Sequence, residues 1–155
     1  MKWVTRERPK IDRVACPWLI ARFIDKEPEF LFVAPNHVKD VAAETGAIPY
    51  DVEGVELTHE GPLCSFDALL AKYGLEGDGA LSELAVIVRG ADTARLDLAP
   101  QCAGLLAVSL GMSRLFADDH EQIKHGFVVY DALLAWLREA RTESHTWNPQ
   151  RVPAA

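Results

Sequence analysis

Between positions 123 and 137 the apolar residues Ile123, Phe127, Tyr130, Leu134 and Leu137 recur at spacings of four, three, four and three. That rhythm keeps them on one stripe, so it predicts an amphipathic helix of about five turns. Asp118, three residues before Glu121, supplies the start of that helix as a capping box, with the acidic run 118–121 at its positive end. A helix with one apolar stripe needs a surface to bury it, and the preceding sequence repeats the pattern. Phe66, Leu69, Leu70 and Tyr73 form a stripe ended by Gly74, with Ser65 as its cap. Leu81, Leu84, Ala85 and Val88 form another, ended by Gly90. Pro100 opens a further helix that Gly111 ends, and its small residues Ala103, Gly104 and Ala107 predict close helix packing. From Ser65 onward the chain reads as helical.

The first third reads differently. Lys2-Trp3-Val4-Thr5, Phe30-Leu31-Phe32-Val33 and Ala47-Ile48-Pro49-Tyr50 are short strand candidates. The last two flank a helix over His37–Glu44 closed by Gly46, a βαβ-like unit. Pro17 is placed at the first position of a helix whose stripe is Leu19, Ile20, Phe23 and Ile24. Val55–His59 is a further strand candidate before the Gly61-Pro62 breaker. The fold class is therefore α+β, mostly helical, with a small sheet from the N-terminal third. The sequence shows no repeat or linker, so it divides into one domain over residues 1–147 and a tail over 148–155.

Composition narrows the class of function. The chain has 155 residues, 49% hydrophobic and 25% charged, and a net charge of −7. These are globular proportions. An acidic domain repels the phosphate backbone, which argues against direct DNA binding by this chain alone. The apolar runs are far shorter than the roughly 20 residues of a membrane span, and the N-terminus has no secretory apolar core, so the expected location is the cytoplasm. Cys16, Cys64 and Cys102 are odd in number and form no C-x-x-C pair, which fits reduced thiols better than a disulfide framework.

Charge is not spread evenly. Residues 1–22 hold Lys2, Arg6, Arg8, Lys10, Arg13 and Arg22 against Glu7 and Asp12. A guanidinium donates two parallel hydrogen bonds and so reads oxyanions well, while the plain alternative is pairing with the surplus acids. The second cluster is Asp51 with Thr58-His59-Glu60-Gly61-Pro62-Leu63-Cys64-Ser65-Phe66-Asp67. Imidazole and thiolate are ligands for borderline metals, which makes His59 and Cys64 metal candidates, with Asp92 beside them. A Cys64 nucleophile activated by His59 needs an orienting acid, for which Asp51 or Asp92 could serve. No phosphate loop, Walker motif, G-x-S-x-G or H-E-x-x-H occurs.

The run Trp3-Val4-Thr5-Arg6 followed by Asp12-Arg13-Val14-Ala15-Cys16-Pro17-Trp18-Leu19-Ile20-Ala21-Arg22-Phe23-Ile24-Asp25 resembles the chromate-resistance ChrB family. The blocks Gly46–Asp51, His59-Glu60-Gly61, Cys64–Asp67, Val88–Asp92 and Tyr130–Leu133 carry the same resemblance, which spans about residues 2–147. It implies the family's C-terminal domain standing alone, associated with chromate resistance and stress response. With chromate a tetrahedral dianion, the oxyanion candidates are Arg6, Arg13, Arg22 and Arg89. The metal candidates stay His59, Cys64 and Asp92, with zinc, iron or manganese as the ion. The expected partners are a small anion or a metal ion, and a homodimer is compatible with the sequence. Two functions follow as expectations: a module that binds an oxyanion, a metal or both for sensing or detoxification, and a metal-dependent, redox-capable enzyme acting on a small anion.

Overall fold

In the computed structural model of the chain, which describes residues 1–145, strand β1 (Lys2–Arg6) lies between β2 (Glu29–Val33) and β3 (Ile48–Pro49). All pairings are parallel, with Trp3 opposite both Phe30 and Ile48. Successive side chains of a strand point to opposite faces. Trp3 accordingly enters the main core, whereas Val4 enters a smaller cluster with Val38 and Ala47. Helix α1 (Asp12–Leu19) connects β1 to β2 and packs into the main core. Helix α2 (Val38–Thr45), led in by a 3₁₀ turn at Pro35–His37, connects β2 to β3 and covers the Val4 side. The chain thus leaves β1 towards one edge and returns to the other. In an open sheet wound this way, the carboxyl ends of the strands on either side of the reversal, here β1 and β3, frame a crevice suited to ligands.

Among the described residues the other four α-helices are α3 (Ser65–Lys72), α4 (Gly79–Asp92), α5 (Cys102–Leu115) and α6 (Asp119–Ala135). The mostly helical architecture with a small N-terminal sheet is therefore the one expected from sequence, and the sheet is wholly parallel. Residues 148–155, assigned above to a tail, lie outside the described residues. Asp118 caps α6 as its sequence predicts, its carboxylate accepting from the N–H groups of His120 and Glu121. Gly46 closes α2 in the left-handed region at φ 73°.

Several boundaries fall elsewhere. Pro17 does not open α1 but lies inside it, because the helix starts at Asp12, whose carboxylate is drawn to the N-terminus of α3. The proline deprives the Arg13 carbonyl of a helical donor. The chain then widens into a π-helical turn over Ile20–Ile24, with the Asp25 N–H reaching back to the Ile20 carbonyl at 2.8 Å. Residues 55–59 form a bent, irregular segment instead of a strand. Only Leu57 of that segment is buried, bridging Tyr50, so there is no alternating face to pair. Strands β2 and β3 are not neighbours, since β1 lies between them.

Gly90 and Gly111 do not end helices; α4 runs on to Asp92 and α5 to Leu115. Gly90 serves the α4–α5 crossing: a Cβ there would collide with the Cys102 thiol and come within 2.7 Å of the Arg95 carbonyl. Close approach is made by Gly90, not by the small residues of α5. Ala103, Gly104 and Ala107 face outward, while Cys102, Leu105 and Ser109 form the buried stripe.

Candidate metal centre

Asp12 is fully buried at the start of α1. A buried carboxylate needs donors, and the first turn of α3 provides them: the N–H groups of Ser65 and Phe66 bond Asp12 at 2.8 and 3.0 Å. Asp12 therefore caps α3 from a distant part of the chain, and the Cys16 thiol adds a 3.3 Å contact. The residue before it, Ile11, has φ 43°, a costly conformation for a β-branched side chain. Its carbonyl is held by the Tyr130 hydroxyl at 2.9 Å. Tyr130 thus finds the buried partner that its place on an apolar stripe requires.

Asp51 follows β3 and also has positive φ, 49°. Its Oδ2 takes Arg6 Nη2 at 2.9 Å and lies 3.3 Å from Arg13 Nε, while its Oδ1 accepts from the Ser65 hydroxyl at 2.9 Å. Arg6 also donates to the Asp51 carbonyl, and Arg13 to the carbonyls of Arg6 and Glu7. Asp92 closes the last turn of α4. His59 comes from the irregular segment after β3.

Three carboxylates, from the start of α1, the end of β3 and the end of α4, converge on one imidazole nitrogen. His59 Nε2 is 2.9 Å from Asp92 Oδ2, 3.3 Å from Asp51 Oδ1 and 3.5 Å from Asp12 Oδ2. Ligand atoms of Asp12, His59 and Asp92 all lie within 4.8 Å of one another. Metal–ligand bonds of about 2.1 Å place neighbouring donors about 3 to 3.5 Å apart, close to the distances of Asp12 and Asp92 from His59 Nε2. The His59 side chain is 40% exposed, against 1% for Asp12, 6% for Asp51 and 17% for Asp92. Solvent reaches the group from the imidazole side.

The electrostatics follow from this crowding. Burial, and then the charges of Asp12 and Asp51, push the Asp92 carboxyl up to about 7. Burial above all raises Asp12. The Asp12 carboxylate, with Asp92 and Asp51 adding, raises His59 to about 9 against the opposing effect of burial. The like-charge crowding of Asp12, Asp51 and Asp92 is what raises Asp92, and a cation bound among them would relieve it.

The sequence-predicted residues divide. His59 and Asp92 meet here. Cys64 does not join them: it is the residue before α3, its thiol 3.3 Å from Asp67 Oδ2, and burial pushes that thiol well up. Arg6 and Arg13 reach the site through Asp51. Arg22 instead pairs with Asp131 through two hydrogen bonds, 3.0 and 2.9 Å. Arg89 does the same with Asp67, at 3.0 and 2.7 Å. Asp12 was legible only as an ion-pair or capping residue, and Ser65 only as a cap; no local spacing marks either as part of this group.

Thr58 and Glu60, on either side of His59 in sequence, line a cleft of about 280 Å³ between α3 and α4, with Cys64, Asp67 and Arg89 in its walls. Among the described residues no helix is long and apolar enough to cross a membrane.

Fold and site together define a small α/β domain with an Asp/His group of metal-ligand spacing at the carboxyl edge of a parallel sheet. Residues 3–137 match the family described as ChrB, C-terminal domain, and the chain belongs to that family. It is 34% identical over 141 residues to Protein ChrB of Cupriavidus metallidurans, a match covering 90% of this chain and 42% of that protein. The chain thus spans less than half the length of this relative. No solved structure matches it.

Proposed function

We propose that this domain is a metal-binding module of a chromate-resistance protein, working in the cytoplasm, with Asp12, His59 and Asp92 holding a divalent transition metal. The observation that carries the reading is the convergence of three carboxylate oxygens, from three separate elements, within 3.5 Å of His59 Nε2. Oxygen donors with one imidazole suit manganese, iron or zinc, the ions named from sequence. Bare oxyanion binding by the arginines has less support. Arg6, Arg13, Arg22 and Arg89 each already hold an aspartate of the same chain, with which an incoming anion would compete. A small anion fits better as a co-ligand of the metal, facing the half-exposed Arg6.

Elemental analysis of the purified protein tests the reading. Near-stoichiometric manganese, iron or zinc, lost in His59→Ala and in Asp92→Ala but kept in Arg22→Ala, is the expected result. Folded wild-type protein that takes up none of these ions on titration overturns it. An enzymatic reading, metal-assisted chemistry on a small anion, is favoured by the solvent access to the group at the 40% exposed His59 side chain. Turnover that disappears with the metal distinguishes it from a binding role.

A further inference from the structure

Asp51 has both oxygens engaged in ways that differ in kind. Oδ2 faces two guanidinium groups, Arg6 at 2.9 Å and Arg13 at 3.3 Å. Oδ1 faces His59 Nε2 at 3.3 Å, and a single hydroxyl, that of Ser65, donates to it. One oxygen is thus neutralised from behind while the other is presented to the ligand group. Ser65 links the two most buried acids of the site: its N–H holds Asp12 Oδ2 at 2.8 Å and its hydroxyl holds Asp51 Oδ1 at 2.9 Å. The left-handed backbone at Asp51 is paired with this arrangement, since strain of this kind persists only where the surroundings fix it.

Resting on the metal-binding reading above, we infer that Asp51 and the Ser65 hydroxyl are positioning groups of the ion's ligand set, Ser65 tying Asp51 to the ligand Asp12. The arginines explain how three acids can crowd one site: they offset charge that one divalent ion leaves uncompensated. The ion this set selects is one that accepts two oxygens and one nitrogen from the protein and keeps open positions for water or a small anion. Outer partners that orient a ligand commonly change metal affinity by about 10–100-fold when removed.

Co²⁺ is the probe, because its visible absorption reports coordination as well as binding. Titrations of the full chain compare wild type with Asp51→Asn, Ser65→Ala, Ser65→Thr and His59→Ala. Asp51→Asn is expected to weaken Co²⁺ binding by about 10–100-fold and to change the spectrum of the bound ion. Ser65→Ala, which removes only the hydroxyl, is expected to weaken it by about tenfold, and Ser65→Thr to restore it. Ser65→Ala keeps the proposal testable should Asp51→Asn, which leaves Arg13 short of a partner, fail to fold. Affinity and spectrum unchanged in folded Asp51→Asn, or an unaltered Ser65→Ala, overturn the role of these two residues even where His59→Ala abolishes binding. Absence of Co²⁺ binding in the wild type overturns the metal site itself, a result distinct from either.

Discussion

At the scale of single residues, Asp12 does two jobs that separate under mutation. It offers an oxygen to the His59 group, and it caps α3 through the Ser65 and Phe66 N–H groups. Asp12→Ala leaves two buried donors unpaired and is expected to lower stability by about 2 kcal/mol, checked by urea unfolding of metal-free protein. His59 and Asp92 give the site a pH dependence whose sign is fixed. His59 rises from its ordinary 6.5 to about 9, and Asp92 from 3.8 to about 7. Over that range the folded state binds more protons than the unfolded state, so stability falls as pH rises. The contribution of His59 is complete below pH 6.5 and lost as pH passes about 9, and Asp92 adds in the same direction between about 4 and 7. Metal-free protein is expected to melt at a lower temperature at pH 9 than at pH 6, with His59→Ala flattening the trend; a melting temperature that rises across that range contradicts it.

At the scale of elements, the site exists because helix ends meet. The start of α1 is held against the start of α3, and the end of α4 carries Asp92 to the same place. The position of α4 depends on its crossing with α5, where Gly90 lets the Cys102 thiol approach. Gly90→Ala gains about 1 kcal/mol of helix propensity but forces the crossing apart. A net loss of about 1–3 kcal/mol is expected, read by thermal or urea unfolding. The same element shows why some boundaries are illegible in sequence. A glycine after an apolar stripe signals a helix end, and Gly74 follows α3 as predicted. At Gly90 an identical local signal serves contact with another helix, which only the packed structure reveals. Pro17 likewise carries a start signal, yet α1 begins five residues earlier because its first residue is drawn to a helix 53 positions away.

At the scale of the whole molecule, Asp12, His59 and Asp92 belong to segments whose union requires the complete fold. A metal held by them would bind the folded state, and its binding energy would become stability. At free metal about 100 times its dissociation constant, a gain of about 2.7 kcal/mol and a melting temperature about 5–10 °C higher are expected for a chain of this size. Scanning calorimetry of wild type beside His59→Ala checks this: the shift should be present in the first and absent from the second.

The sequence by itself determined the elements whose signals are local. The stripe from Ile123 to Leu134 made α6, with Leu137 in the π-helical turn that follows it, Asp118 capped it, Gly46 closed α2, and the runs at 2–5, 30–33 and 48–49 became paired strands. It also marked His59 and Asp92 through their chemistry. Tertiary structure alone decided that Asp12 and Ser65 belong with them, that Arg6 and Arg13 reach the site through Asp51, and that Arg22, Arg89 and Cys64 face other partners. The reason is physical: a periodic stripe is set by the geometry of neighbouring residues, whereas the pairing of a buried charge is set by whichever donor the folded chain brings within about 3 Å.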